Sequence, residues 1–303
     1  MDIRALRYFV ETVRCASFTQ AAKNLFVTQS TVSKMIRQLE EEVGTPLLIR
    51  DGHTARPTDT GRIVHERGVQ ILGAMRQLNA ELREATALTK GELEVGIPPM
   101  INVLFIPVVQ CFRERHPQIR LSLREGTGQE VERLVGAGEL EIGATVLPVA
   151  SPGPLQAQRF GSHPLWVVGP ADVAWAGKKT LSLSALRDVP LLIPTEDFAL
   201  TRRLRQACEG AGFEPNIAAQ SAHWDFLAGM AAAGLGTAIL PEPLVQRLKT
   251  RGLALARLAR SGVQWEPGHI WVRDRYLSFA ARAWLAICGE VLQGEAAADK
   301  PAA

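Results

Sequence analysis

The run FTQAAKNLFVTQSTVSKMIRQLE, residues 18–40, contains two short amphipathic helices separated by a tight turn. Ser17 stands at an N-cap position with Gln20 three residues on, which predicts a helix over Phe18–Leu25 that buries Ala21, Ala22 and Leu25. After Phe26 and Val27, Thr28 caps a longer helix that runs to Val43, with Val32, Ile36 and Leu39 inward and Gly44 as its stop. Helices that cross this closely need a small residue near Ala22 and an apolar turn residue, here Val27. The outward face of the longer helix must then offer hydrogen-bonding side chains. Gln29, Ser30, Thr31, Ser33, Lys34 and Arg37 do so, with Thr19 on the helix before. Gln pairs with adenine, Lys and Arg with guanine or phosphate, and hydroxyls with either. The pattern is that of a helix-turn-helix whose longer helix enters the major groove of double-stranded DNA. Between Thr12 and Leu39 stand Arg14, Lys23, Lys34 and Arg37 and no acid; Glu40, Glu41 and Glu42 come at the far end, expected to point away from the groove.

The flanks extend the reading. Upstream, Leu6, Phe9, Val10 and Val13 share one face of a first helix. Downstream, PLLIRDGHTARPTDTG, residues 46–61, reads as strand, polar turn, strand and helix start. Such a wing places Arg50, His53, Thr54, Arg56 and Thr58 against phosphates or the minor groove. A long helix over 60–88 follows. In it Val64, Gly68, Ile71, Met75, Leu78, Leu82 and Ala85 recur at alternating steps of four and three, the seam of two helices wrapped together. Gly68 and Gly73 weaken that seam, so it needs completion by other contacts; self-association as a dimer is the expectation.

From Gly91 the texture changes to alternating strands and helices: ELEVGI, a break at PPM, a helix through INVLFIPVVQCFRERHP, then IRLSLREG, GQEVERLVGAG and LEIGATVLP. This alternation predicts a mostly parallel sheet with helices on both faces. A second similar lobe begins at SHPLWVVGP and continues through LLIPT, NIAAQS and GLGTAILP, with hinges near residues 161 and 267. The tail 295–303 is expected to fray. The fold class is thus a multidomain α+β and α/β chain. It comprises a winged helix-turn-helix over 1–59, a linker helix over 60–90 and a two-lobed domain over 91–303, with lobe I at 91–161 and 268–295 and lobe II at 162–267.

Ligands of two-lobed α/β domains bind between the lobes, at strand carboxyl ends and helix amino ends. The first such corner is Pro98-Pro99-Met100 with Ile101, whose helix-start amides suit a carboxylate. The second is Gly126-Thr127-Gly128, the third ends at Thr145, and the far lobe offers Thr195, Phe198 and the start of a Thr201–Gly210 helix.

A chain of 303 residues, 47 % hydrophobic, is long enough for several cores, and a net charge of +3 permits a nucleic-acid partner without requiring one. Cys15, Cys111, Cys208 and Cys288 share no C-x-x-C spacing, so neither a metal nor a redox role is expected, and buried or bystander thiols are the reading for Cys15 and Cys208. MDIRALRYFV carries charges where a secretory segment has none, and no run of about 18 apolar residues is present. The expectation is a cytoplasmic protein with no membrane partner.

Taken together, ALRYFV, SFTQAA, TQSTVSKMIRQLE, GTPLLIR and TDTG, in this order and spacing, make residues 1–61 resemble the DNA-binding domain of LysR-type transcriptional regulators. Ser30-Thr31 departs from the Pro-Ala or Ser-Ala often found there, which bears on base preference rather than fold. The resemblance implies that the 60–88 helix dimerises. It also implies that 91–295 is a periplasmic-binding-protein-like effector domain for a small-molecule inducer, and that the assembly is a homotetramer on two promoter sites. Pro99, Met100 and Thr127 inherit a pocket-lining role by position. The apolar Pro-Pro-Met replaces a common serine or threonine and argues for a small, partly apolar ligand, expected to be a carboxylate. The run IPPMI resembles the CidR-type branch, linked to acetate and related metabolites.

Two rival classes are weighed against this. For an enzyme, the six histidines are scattered and no H-E-x-x-H, G-x-S-x-G, P-loop or G-x-G-x-x-G occurs. No catalytic residue and no cofactor is therefore expected. His223-Trp224-Asp225 is read as part of a packed hinge. A transported-solute receptor would suit 91–295 alone, but the attached winged helix argues against it. Arg113, Arg115 and His116 sit at a helix end and complement its dipole.

Overall fold

Asp2, Ser17 and Thr28 each accept a backbone N–H two or three residues on, and these caps open α1 (Ile3–Cys15), α2 (Phe18–Asn24) and α3 (Gln29–Val43). The structure is a computed structural model that describes residues 1–51, 54–85, 91–150, 153–259 and 261–298. It divides into two compact units near residue 86.

In the first unit α2 ends one residue before the expected Leu25, which is only half-buried. Ser17 caps, but the Gln20 side chain turns to Asn24 at 2.9 Å instead of returning to Ser17, so the capping box is one-sided. Phe9, Val32, Ile36 and Leu39 are fully buried and meet Leu47 and Ala55 of the wing. The wing is an antiparallel pair, β1 (Leu48–Asp51) and β2 (Thr54–Pro57), in register Leu48↔Pro57 and Asp51↔Thr54. Glu40 pins it by accepting the N–H groups of Leu47 and Leu48 at 2.8 and 3.2 Å.

Helix α4 (Asp59–Ala85) begins where Thr58 accepts the Gly61 N–H at 3.0 Å. Its first turns pack on the same core. A Cβ on Gly68 would lie 2.9 Å from Leu6 Cδ1 and 3.1 Å from Val10 Cγ2. Val64 and Gly68, expected in the intermolecular seam, therefore belong to the head instead: Val64 packs on its core cluster and α1 covers Gly68. Beyond them Ile71, Met75, Leu78 and Leu82 continue at steps of four, three and four and are 40–56 % exposed. The Ala85 side chain lies outside the described residues.

The second unit holds two sheets. The first uses β3 (Gly91–Ile97), β4 (Ile119–Glu125), β5 (Ile142–Val146), β6 (Leu155–Arg159) and a late strand, Pro267–Val272. Its helices are α5 (Ile106–Arg115) and α6 (Gly128–Gly136). The second uses β7 (Leu165–Pro170), β8 (Thr180–Ser182), β9 (Leu191–Ile193), β10 (Ile217–Gln220), β11 (Thr237–Pro241) and β12 (Leu253–Ala259). It carries α7 (Ala199–Gly210), α8 (Trp224–Ala232) and α9 (Glu242–Val245). The late strand is β13, and α10 (Phe279–Ala298) follows it. The orders are β4-β3-β5-β13-β6 and β10-β9-β11-β7-β12-β8.

The expected mostly parallel sheets are mixed. β3 runs parallel to β4 and β5, but β13 is antiparallel to β5 and β6, and β7 is antiparallel to β11 and β12. The reason is the double crossing between lobes. A strand that enters a sheet from the crossing starts at the edge where the parallel strands end, so it must run the other way. The crossings pair with each other at His163 and Trp265, whose N–H and C=O groups exchange two bonds of 2.9 Å. His223-Trp224-Asp225 lies elsewhere, at the start of α8 with His223 and Asp225 exposed, and is no hinge. The tail expected to fray is helical through Ala298, in keeping with its alanines; residues 299–303 lie outside the described residues.

His269 on β13 is buried against Phe105 and Phe160, ring centroids 5.8 and 4.5 Å away, and neither ring nitrogen has a hydrogen-bond partner. Burial pushes it down to about 3, so the folded chain holds it neutral. Once unfolded it takes a proton below the usual histidine value of about 6.5. Stability is therefore fully present above that pH and falls by about 1.4 kcal/mol per unit as pH drops toward 3. Urea melts at pH 7.5 and 5.0 should show this slope in the wild type and lose it in His269→Phe; an equal slope in both would rule out a neutral buried histidine.

Candidate functional site

Two places in the structure gather polar chemistry. The first is the outer face of α3. Gln29, Ser30, Thr31, Lys34 and Arg37 are exposed and Ser33 half-exposed, while Val32, Ile36 and Leu39 face the core. At its amino end the Thr28 hydroxyl lies 2.9 Å from that of Ser30 and 2.8 Å from that of Thr31, and Thr19 bonds Gln29 Oε1 at 3.4 Å. One helix end thus presents three linked hydroxyls and an amide, preorganised by the N-cap. Among the described residues Lys34 and Arg37 form no ion pair. Beside this end stands Phe26, at φ 56° and 95 % exposed.

The charge map changes in two respects. Arg14 is neutralised by Glu11 at 2.6 Å, an acid one turn before it and immediately before the acid-free window. The far acids have structural partners: Glu40 holds the wing, and Glu42 pairs with the chain's amino terminus at 2.9 Å. In the wing Thr54 and Arg56 are exposed. Thr58 is engaged otherwise than expected: its hydroxyl donates to the Pro46 carbonyl at 2.9 Å and accepts the Gly61 N–H. The Arg50 side chain and His53 lie outside the described residues.

The second place is a cleft between the lobes of the second unit, about 390 Å³ with its open mouth included. Lobe I contributes Met100, Ile101, Gly128 and Thr145, and lobe II contributes Phe198, so five expected residues converge there. Pro99, Thr127 and Thr195 shape the turns instead. Thr127 caps α6, its hydroxyl accepting the Glu130 N–H at 3.2 Å, and the Thr195 carbonyl takes the Phe198 N–H at 3.0 Å. The first corner also differs from expectation as an amide-rich helix start. The Pro98 carbonyl consumes the Ile101 and Asn102 N–H groups at 2.9 and 3.2 Å, and a 3-10 turn over Asn102–Phe105 precedes α5.

Amide donors come instead from two facing helix starts. Gly128 and Gln129 open α6, and Ala199 and Leu200 open α7, whose N-cap Phe198 supplies no side-chain bond. Sequence reading missed Glu132, Asp197, Arg202 and Trp265, which also line the cleft. Glu132 is buried: Oε1 accepts from Thr145 Oγ1 and Oε2 from the Ala150 N–H, both at 2.8 Å. Arg202 donates to the Asp197 carbonyl at 3.1 Å. Two further arginines tie the lobes together. Arg203 on α7 donates to the carbonyls of Leu147 and Gln264 at 3.0 and 2.8 Å, and Arg247 donates to that of Val103 at 3.1 Å.

The cysteines take no part in either place. Burial and then the neighbouring Glu11 push the Cys15 thiol up, and burial pushes up those of Cys208 and Cys288. Among the described residues no cluster of metal-binding side chains occurs, and no helix is long and apolar enough to cross a membrane.

Known proteins share this layout. Residues 3–62 match the family described as bacterial regulatory helix-turn-helix protein, lysR family, and residues 86–293 match the LysR substrate binding domain. The HTH-type transcriptional regulator YwbI of Bacillus subtilis is 38 % identical over 286 residues, spanning 94 % of this chain and 95 % of that protein. AlsR of the same organism is 29 % identical, covering 80 % of this chain and 81 % of its own. Among solved structures, full-length CbnR complexed with its target DNA has 21 % identity and a TM-score of 0.68, covering 96 % of this chain and 100 % of that one.

Proposed function

The chain belongs to the LysR family of bacterial helix-turn-helix transcriptional regulators, and from that premise we propose that a small carboxylate in the interlobe cleft controls its grip on promoter DNA. The observation that carries this is the convergence of two helix amino ends, from opposite lobes, on one apolar-walled cleft. Anions favour such ends, because first-turn N–H groups and the helix dipole point at them. The acetate-like metabolites of the CidR-type branch are of this class. A ligand that holds both lobes binds the closed form better than the open one, and that difference is what shifts the equilibrium.

On DNA, α3 reads base edges with Gln29 and the hydroxyls of Ser30 and Thr31, while Lys34, Arg37 and the wing hold phosphates. The exposed stripe of α4 joins two chains, and two such dimers make the homotetramer. Paired heads then sit about 34–36 Å apart on one face of the duplex. The protein works in the cytoplasm, where promoters are, and does no catalysis.

A gel shift on the DNA upstream of its own coding sequence, with salt and competitor varied, tests the reading. Arg37→Ala should weaken binding to all sequences and flatten the salt slope by about one unit. Gln29→Ala should relax preference at one base pair, a loss of about 1–3 kcal/mol of discrimination. If both variants bind operator as the wild type does, α3 is not the reading helix. Small acids that change neither melting temperature nor footprint would remove the carboxylate from the account.

A further inference from the structure

The cleft holds more than an anion seat. Its lining carries two carboxylates, Glu132 and Asp197, against one guanidinium, Arg202. Glu132 is 6 % exposed, and both its partners, the Thr145 hydroxyl and the Ala150 N–H, are uncharged donors. Among the described residues no Lys, Arg or His side-chain nitrogen forms an ion pair with the Glu132 carboxylate, and no described carboxylate forms one with the Arg202 guanidinium. A buried carboxylate without a cation is costly, and each of its oxygens can accept a second hydrogen bond. The cleft therefore offers an uncompensated negative group on lobe I and an uncompensated positive group on lobe II. The same lining carries the apolar side chains of Met100, Ile101, Phe198 and Trp265.

We infer that the ligand is a 2-amino acid with an apolar side chain. Its ammonium is read by Glu132, its carboxylate by Arg202 and the start of α7, and its side chain by the apolar walls. This rests on the proposed carboxylate reading of the cleft and adds the ammonium to it. A plain acid would leave Glu132 unpaired and add a third negative charge beside it. Glu132 acts here as the specificity-determining residue. Charge-assisted hydrogen bonds to a buried carboxylate are the strong kind, so the preference for the amino acid over its deaminated analogue should be at least about ten-fold.

The test uses the full-length protein, with binding followed by calorimetry and by the fluorescence of its tryptophans. The probes are propionate, L-lactate and L-alanine, and the longer set valerate, 2-hydroxyvalerate and L-norvaline. The expected result is that each amino acid binds at least ten-fold more tightly than the plain acid of equal length. Glu132→Gln should erase that gap while leaving the plain acid's affinity equal or better. A urea melt checks that the variant folds, and the wild-type panel decides without it. Equal binding of plain and amino acids overturns the proposal but leaves the carboxylate reading standing. Hydroxy acids that match amino acids overturn the ammonium assignment, since a neutral donor would then suffice. A gap that survives in a folded Glu132→Gln assigns the ammonium to another group. Binding of none of the six sinks both readings.

Discussion

A chain carrying Ile71→Glu and Leu78→Glu should fall from tetramer to dimer in light scattering, kept together by the contact that joins the two α4 dimers, and lose most of its affinity for a two-half-site operator. The two positions are one heptad apart on the exposed stripe of α4, 46 % and 48 % exposed. In a paired seam they would set like charges against each other in place of apolar contact. Joining two heads makes the second binding event intramolecular, an advantage of about 10²–10⁴-fold. Operator affinity should fall by that factor while binding to an isolated half-site stays unchanged. The head keeps its own fold because its core cluster, Phe9, Ile36 and Leu39 among it, includes neither Ile71 nor Leu78. A double variant that remains tetrameric would move the dimer contact off this stripe.

The second large effect belongs to Gly61, where α4 leaves the wing. A Cβ there would lie 2.1 Å from the Leu47 carbonyl oxygen and 3.2 Å from Pro57 Cβ. That carbonyl already accepts the Thr58 N–H at 3.0 Å, so it cannot retreat without unpicking the wing. Gly61→Val should cost the head more than about 4 kcal/mol, at the extreme end of single-substitution effects. DNA binding would vanish, while ligand binding by the second unit persists. Arg67→Val, two turns on and exposed, controls for helix propensity and should cost only about 0.5 kcal/mol. Comparable melts for both variants would show that the wing is free to shift.

Much of the head was legible because its determinants are local. Ser17, Thr28 and Gly44 act on groups two to four residues away, and the spacing of Val32, Ile36 and Leu39 sets which face of α3 turns inward. The same local logic, cut too short, hid the Arg14–Glu11 pair: the acid-free window began one residue after Glu11. The seam on α4 was half legible. Periodicity shows that an apolar stripe exists, but not that the head takes up its first two members.

In the second unit the alternation of strands and helices was visible, whereas β6, β8, β12 and β13 were not. LALARLA at β12 has the composition of a helix and becomes a strand because β7 and β8 pair with it on both sides. The cleft corners around Met100, Gly128, Thr145 and Phe198 were found as strand ends. Glu132 was not, since a glutamate in mid-helix ordinarily faces water.

Residue order by itself determined the caps, the inward face of α3, its polar outward face and the existence of an apolar stripe. Each of these depends on groups within a turn or two of one another. Only the tertiary structure decided strand direction and the burial of Glu132 beside Thr145 and Ala150. It alone also set Arg202 across the cleft from them. Strand direction and the place of Arg202 depend on the two crossings between lobes, which pair at His163 and Trp265, whereas the Glu132 bonds reach 13 and 18 residues along the chain, beyond the local spacing that sets a helix face.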